Sequence, residues 1–182
     1  MHKHEFWSLI KASQREEEQN DWLTDRLVTE DLDTILEFEV HLQRIMNESY
    51  QSNLWAAAYV IMGGCSDDTF DYFRGWLIGQ GEEVYNRVLQ NPEYLAEYIS
   101  DDRLDEEGYP QNEELLSVGF DAYSLIKTGD LEWDDSLYDE FLSSLDEKRL
   151  SSTEDIDLNW EEDDLEELFP LLWERFGEDP LG

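Results

Sequence analysis

Large apolar residues recur at spacings of three and four along most of the chain, and nowhere do they alternate with polar residues long enough to make a strand. The clearest stripe is Ile35, Phe38, Leu42, Ile45 and Met46, one face of a helix that runs out near residues 47–52. Before it, Phe6, Trp7, Leu9 and Ile10 predict a helix from about His4 that stops within the polar stretch Gln14 to Asn20, and Trp22, Leu23 and Leu27 predict a shorter second one. After it, Leu54 to Met62 is apolar almost all round, the pattern of a helix enclosed by others, and Ala56, Ala57 and Ala58 allow a neighbour to approach closely. Gly63 and Gly64 can turn the chain through positive φ, and Ser66 is placed to cap the next helix, whose stripe is Phe70, Phe73, Leu77 and Ile78. Residues 54–81 therefore read as a helical hairpin around which the rest is expected to pack.

Gly79 and Gly81 stop that hairpin, and a short helix follows through Val84 and Val88 until Pro92. Leu95, Tyr98 and Ile99 predict another short helix, and residues 100–112, with Gly108 and Pro110 among acids, predict a loop. Beyond it, Leu115, Leu116, Gly119, Phe120, Tyr123 and Ile126 make one amphipathic stripe and Leu137, Phe141, Leu142 and Leu145 another. A last helix is expected from about Glu162, interrupted or kinked near Pro170. The expected fold is all-α, an irregular orthogonal bundle of many helices around the 54–81 hairpin. It is expected as one domain over residues 1–182, with a possible internal boundary near 100–112 that sets off an acidic C-terminal subdomain.

Charge changes the picture more than composition does. With 12 basic and 47 acidic side chains the net charge is −35, while 40% hydrophobic content is too rich for a wholly disordered chain. The acidity is uneven: residues 1–90 carry 7 basic and 17 acidic side chains, and residues 91–182 carry 5 and 30. Such a surface repels phosphate backbones and anionic lipid and attracts basic partners, so direct nucleic-acid binding and membrane association are not expected. The N-terminal stretch lacks the apolar core of a secretory signal and no run approaches a membrane span, which predicts a soluble cytoplasmic protein. The lone Cys65 forms no intrachain disulfide and suits a reducing compartment.

The stretch from Gly63 to Gly81, GGCSDDTFDYFRGWLIGQG, resembles a bacterial family of small acidic proteins known only as a domain of unknown function. The resemblance rests on Gly63, Gly64, Cys65, Ser66, Asp67, Asp68, Phe70, Tyr72, Phe73, Arg74 and Trp76, and covers roughly the first hundred residues. It implies a predominantly helical domain and transfers no reaction.

Two constellations could carry chemistry. At the hairpin turn, Cys65, Ser66, Asp67 and Asp68 sit at a helix start, with Asp71 and Arg74 each about one turn further on, a candidate polar pocket for a small ligand or a partner's basic side chain. The same residues also read as a cap and an ion pair over an aromatic core. Cys65 could act as a nucleophile, since a helix start favours a thiolate, but Asp67 and Asp68 oppose it. The second constellation interleaves acid with tryptophan: Trp133, Asp134 and Asp135, then Trp160, Glu161, Glu162, Asp163 and Asp164. Aromatic residues can anchor an interface while carboxylates select a basic partner; alternatively these tryptophans dock the C-terminal helices.

Asp155, Asp157, Asn159, Glu161, Asp163 and Glu166 imitate the spacing of a calcium loop, but Trp160 stands where the sharp turn needs glycine, so no metal site is nominated. No nucleotide, hydrolase or zinc-protease motif is present, so no catalytic residue and no cofactor are nominated. The reading that follows is a non-catalytic acidic interaction protein that neutralises or regulates a basic protein partner, in the manner of an immunity protein or a DNA mimic. The alternative is an enzyme or small-ligand binder using a pocket around Ser66, Asp68 and Arg74. Oligomeric state is left open.

Overall fold

The computed structural model describes residues 1–148 and 155–182. Among these residues the fold is all-α, without strands. Eleven α-helices are described: α1 (Lys3–Ser13), α2 (Gln19–Val28), α3 (Leu32–Glu48), α4 (Ser52–Met62), α5 (Asp67–Gly79), α6 (Glu82–Gln90), α7 (Leu95–Tyr98), α8 (Val118–Lys127), α9 (Asp135–Glu147), α10 (Leu165–Leu168) and α11 (Pro170–Phe176). They divide between two compact units, each assembled from separated stretches of chain. The first holds residues 1–47 and the stretch that begins at 114; the second holds residues 48–113 and the C-terminal stretch. None of the helices is long and apolar enough to cross a membrane.

In the first unit, α1 buries Phe6, Trp7 and Ile10, and Phe6 meets the α3 stripe, its ring 5.0 Å from that of Phe38. Burying each such ring contributes roughly 2–3 kcal/mol. The Glu5 carboxylate accepts a hydrogen bond from the His2 backbone N–H at 2.5 Å, closing the start of α1. α2 buries Leu23 and Leu27 and packs on α8, which contributes Val118, Gly119, Ala122 and Tyr123.

The stripes expected in this unit shift in two places. Ile126 lies in the last turn of α8, past the packed face, and is exposed. On α9 the buried residues are Leu137, Phe141 and Leu145, an i, i+4, i+8 line; Leu142, about 100° round the helix from Phe141, is exposed.

In the second unit, α4 is buried from Leu54 to Met62 except at Tyr59, as its unbroken apolar run demands. Gly63 ends it with φ 68°, and the Gly63 and Gly64 N–H groups both donate to the Tyr59 carbonyl. α5 then buries Phe70, Phe73, Arg74, Trp76, Leu77 and Ile78. On α6 the buried line is Tyr85 and Val88, with Val84 half-buried.

Pro170 does not kink a continuing helix. The chain breaks at Phe169 (φ −133°, ψ 65°), and Pro170 opens α11 at its first position, where its missing N–H costs nothing. Two of the next N–H groups, on Leu171 and Leu172, donate to the Glu93 carboxylate at 3.3 and 3.0 Å. α11 thereby lies on α4 and α7, with Leu172 and Phe176 buried.

Candidate functional site

The hairpin turn is built by its own local chemistry. Ser66 precedes α5 with an extended backbone, and its Oγ accepts a hydrogen bond from the Thr69 N–H at 3.2 Å. Asp67 and Asp68 are exposed in the first turn, where the helix dipole favours negative charge. The indole N–H of Trp55 donates to the Cys65 carbonyl at 2.9 Å and fixes the turn to α4.

Cys65 sits half-buried on that turn, and its burial pushes the thiol up to about 12, a shift that Asp67 and Asp71 reinforce and Arg74 opposes. A thiol in that condition is protonated near neutral pH and is a poor nucleophile. Arg74 is 5% exposed. It pairs with the half-exposed Asp71 one turn earlier, and its guanidinium carbon lies 4.9 Å from the Tyr50 ring centroid and 4.8 Å from that of Phe70. Trp55 stacks on Phe70 at 4.8 Å. Burial draws the Arg74 pKa down, against the pull of Asp71. Arg74 is therefore a buried cation set against two neighbouring aromatic rings, with Asp71 at the surface end of the pair.

The two tryptophan segments belong to different units and differ in kind. Trp160 is half-buried: its indole N–H donates to the Ser52 carbonyl at 2.9 Å and its ring meets the Tyr59 ring edge-on at 5.5 Å. Nearby bonds hold the same segment, from Tyr59 Oη to Glu162 at 2.5 Å and between Ser52 Oγ and Asn159 Oδ1 at 2.6 Å. The Glu161 N–H donates to Asp164 Oδ2 at 2.9 Å, closing a single 3-10 turn over Glu162–Asp164, while Glu161, Glu162, Asp163 and Asp164 remain exposed. Within the calcium-like run at 155–166, Asn159 and Glu162 are used in docking and Glu161 and Asp164 in capping, and the described residues contain no group of three or more His, Cys, Asp or Glu placed to hold a metal.

Trp133 is 64% exposed. Its ring packs on Tyr138 at 4.9 Å and Phe120 at 5.5 Å, and its indole N–H donates to Asp135 Oδ1 at 2.7 Å. Asp134 caps α9, accepting from the Ser136 and Leu137 N–H groups at 2.8 and 3.1 Å. Leu131, 58% exposed, extends the apolar surface, and Asp130, Glu132, Asp134 and Asp135 interleave with it along the chain. Phe120 and Tyr138 are the residues that sequence reasoning missed. Phe120 reads as core from its stripe on α8, and only its tilted and edge-on ring contacts with Trp133 and Tyr138 show that it braces a surface aromatic cluster.

The family model described as "Protein of unknown function (DUF4240)" matches residues 1–125, and the chain belongs to that family. The match includes the hairpin turn and ends before the Trp133 and Trp160 segments. No curated protein and no solved structure matches the chain.

Proposed function

We propose that this is a non-catalytic acidic protein that binds a basic protein partner and neutralises or regulates it, as an immunity protein or a DNA mimic would. The observation that carries the reading is Trp133, a large aromatic side chain held mostly in solvent by Tyr138 and Phe120 and flanked by carboxylates. A tryptophan on a rigid aromatic base loses little side-chain entropy on binding, and such residues are common binding hot spots. The net charge of −35 supplies attraction to a basic surface and repulsion of nucleic acid. The hairpin turn supports an architectural role, since Ser66 caps α5 and Arg74 is paired with Asp71 and packed on two rings. A lone, protonated Cys65 suits a reducing cytoplasm.

The test is affinity capture from the native host at low and high salt with the wild type and Trp133→Ala in parallel. The captured protein is then purified and titrated calorimetrically. The expected result is a basic partner retained at low salt, released at high salt, and bound about tenfold or more weakly by Trp133→Ala. No basic partner at low salt, or equal affinity of the two proteins, overturns the reading.

A further inference from the structure

An open cleft of about 590 Å³ lies wholly within the second unit, between the segment from α6 to α7 and the outer side of α11. The residues that shape it come from two stretches about eighty positions apart: Arg87, Tyr94 and Glu97 from one, Leu171, Glu174 and Arg175 from the other. The size falls in the range of small-molecule sites, about 300–1,000 Å³.

Its charges are arranged unusually. The chain has only 12 basic side chains against 47 acidic ones, yet two arginines line this one cleft. The Arg87 guanidinium carbon is 3.7 Å from the Tyr94 ring centroid, so one face is covered by the ring. The side chain is exposed and, among the described residues, makes no hydrogen bond or ion pair, leaving the N–H edge of the fork for a carboxylate. Arg175 is partly engaged: one nitrogen donates to the Ala96 carbonyl at 2.7 Å and ties α11 to α7.

Of the three glutamates at the cleft, Glu93 is spent on the start of α11, where its carboxylate accepts from Leu171 and Leu172. Glu97 and Glu174 are exposed, and among the described residues their carboxylates make no hydrogen bond or ion pair. Two cations and two uncommitted anions thus face one cleft without pairing with each other. A simple anion would meet the glutamates, and a simple cation would meet the arginines. A molecule that carries both charges satisfies both sets. The exposed Leu171 side chain and the Tyr94 ring add an apolar wall for the body of such a ligand.

We infer that this cleft binds a small zwitterion, a free amino acid or short peptide with an apolar side chain, its carboxylate on Arg87 and Arg175 and its ammonium on Glu97 and Glu174. The site shares no residue with the Trp133 surface, so either can fail without the other.

Isothermal titration of the full chain tests this with five probes: L-leucine, L-phenylalanine, N-acetyl-L-leucine (carboxylate only), L-leucinamide (ammonium only) and inorganic phosphate. Saturable binding of leucine and phenylalanine is expected, with each blocked analogue weaker by about tenfold or more. Arg87→Gln should abolish the preference for leucine over leucinamide, and Glu97→Gln with Glu174→Gln should abolish the preference for leucine over N-acetyl-leucine. All three side chains are exposed, so these variants are expected to melt with the wild type, which circular dichroism checks. Blocked analogues that bind as tightly as the free amino acids, binding of phosphate alone, unchanged preferences in the variants, or no saturable binding of any probe overturns the proposal.

Discussion

Glu39 on α3 is buried directly beneath Gly119 of α8: a Cβ built on Gly119 would overlap the Glu39 Oε2 and lie 3.2 Å from the Glu39 Cβ. One carboxylate oxygen accepts from Gln43 Nε2 at 2.7 Å, and the other has no hydrogen-bond partner. Burial pushes this acid up to about 7, a shift the Gln43 bond only moderates. The acid is therefore protonated in the folded chain at a pH where it is ionised in the unfolded one. Stability from this group is full below about pH 4.5, falls as pH rises towards about 7, and is flat above that, a total loss of about 3 kcal/mol. Glu39→Gln removes the titration but buries an amide N–H₂ where Oε2 lay, which costs about 1–2 kcal/mol. The variant is expected to be less stable than wild type at pH 5 and more stable, by about 1 kcal/mol, at pH 8. Urea unfolding of both proteins at the two pH values checks the change of sign.

The same contact makes Gly119 a packing requirement. Gly119→Ala gains helix propensity of about 1 kcal/mol but forces a methyl group into Glu39, and overpacking of a tight site costs about 1–3 kcal/mol. A net loss of about 1 kcal/mol is expected. Adding Glu39→Ala should recover part of it, a coupling that a double-mutant cycle of denaturation midpoints reads directly.

Arg74 and Asp71 are unequal partners. Arg74→Ala removes a buried guanidinium packed against Tyr50 and Phe70 and leaves a hole, an expected loss of about 3 kcal/mol. Asp71→Asn leaves the cation against its aromatic rings and removes a half-exposed, solvent-screened charge, so about 1 kcal/mol is expected. Thermal melts of the two variants should keep that order.

Cys65 is expected to resist alkylation. With the thiol pushed up to about 12, its thiolate population at neutral pH is far below that of free cysteine, and iodoacetamide should react at least about a hundredfold more slowly. Mass spectrometry of timed reactions on folded and urea-unfolded protein checks this, since unfolding removes the burial that causes the shift.

Local signals made much of the fold legible. The α3 stripe, the unbroken apolar run of α4, the Gly63 turn with its Ser66 cap, and Pro170 each act within a few residues, and each produces the element its chemistry predicts. What stayed hidden depends on partners far away in sequence. Leu142 reads as core beside Phe141 until the direction of the α9 packing face is known, and nothing local reveals that Glu39 lies against Gly119. The candidate cleft joins Arg87 to Arg175, side chains with no shared motif. The acidic tryptophan segments look alike in sequence and part company only when Trp160 finds Ser52 and Tyr59.

That divergence gives the sharpest test of the interaction surface. Trp160→Ala removes a ring docked on α4, together with its bond to the Ser52 carbonyl, and is expected to cost about 2–3 kcal/mol. Trp133→Ala removes a mostly solvated ring whose partners, Tyr138 and Phe120, lose only one of their ring contacts, so about 1 kcal/mol or less is expected. Partner affinity should respond in the opposite order. Trp133→Ala, near wild type in its melt, should lose binding, whereas Trp160→Ala, studied below its lowered melting temperature, should keep it. Paired melts and titrations of the two variants against the captured basic protein give both orders at once. A Trp133→Ala variant that melts normally and binds normally would leave the exposed indole without a role at the interface.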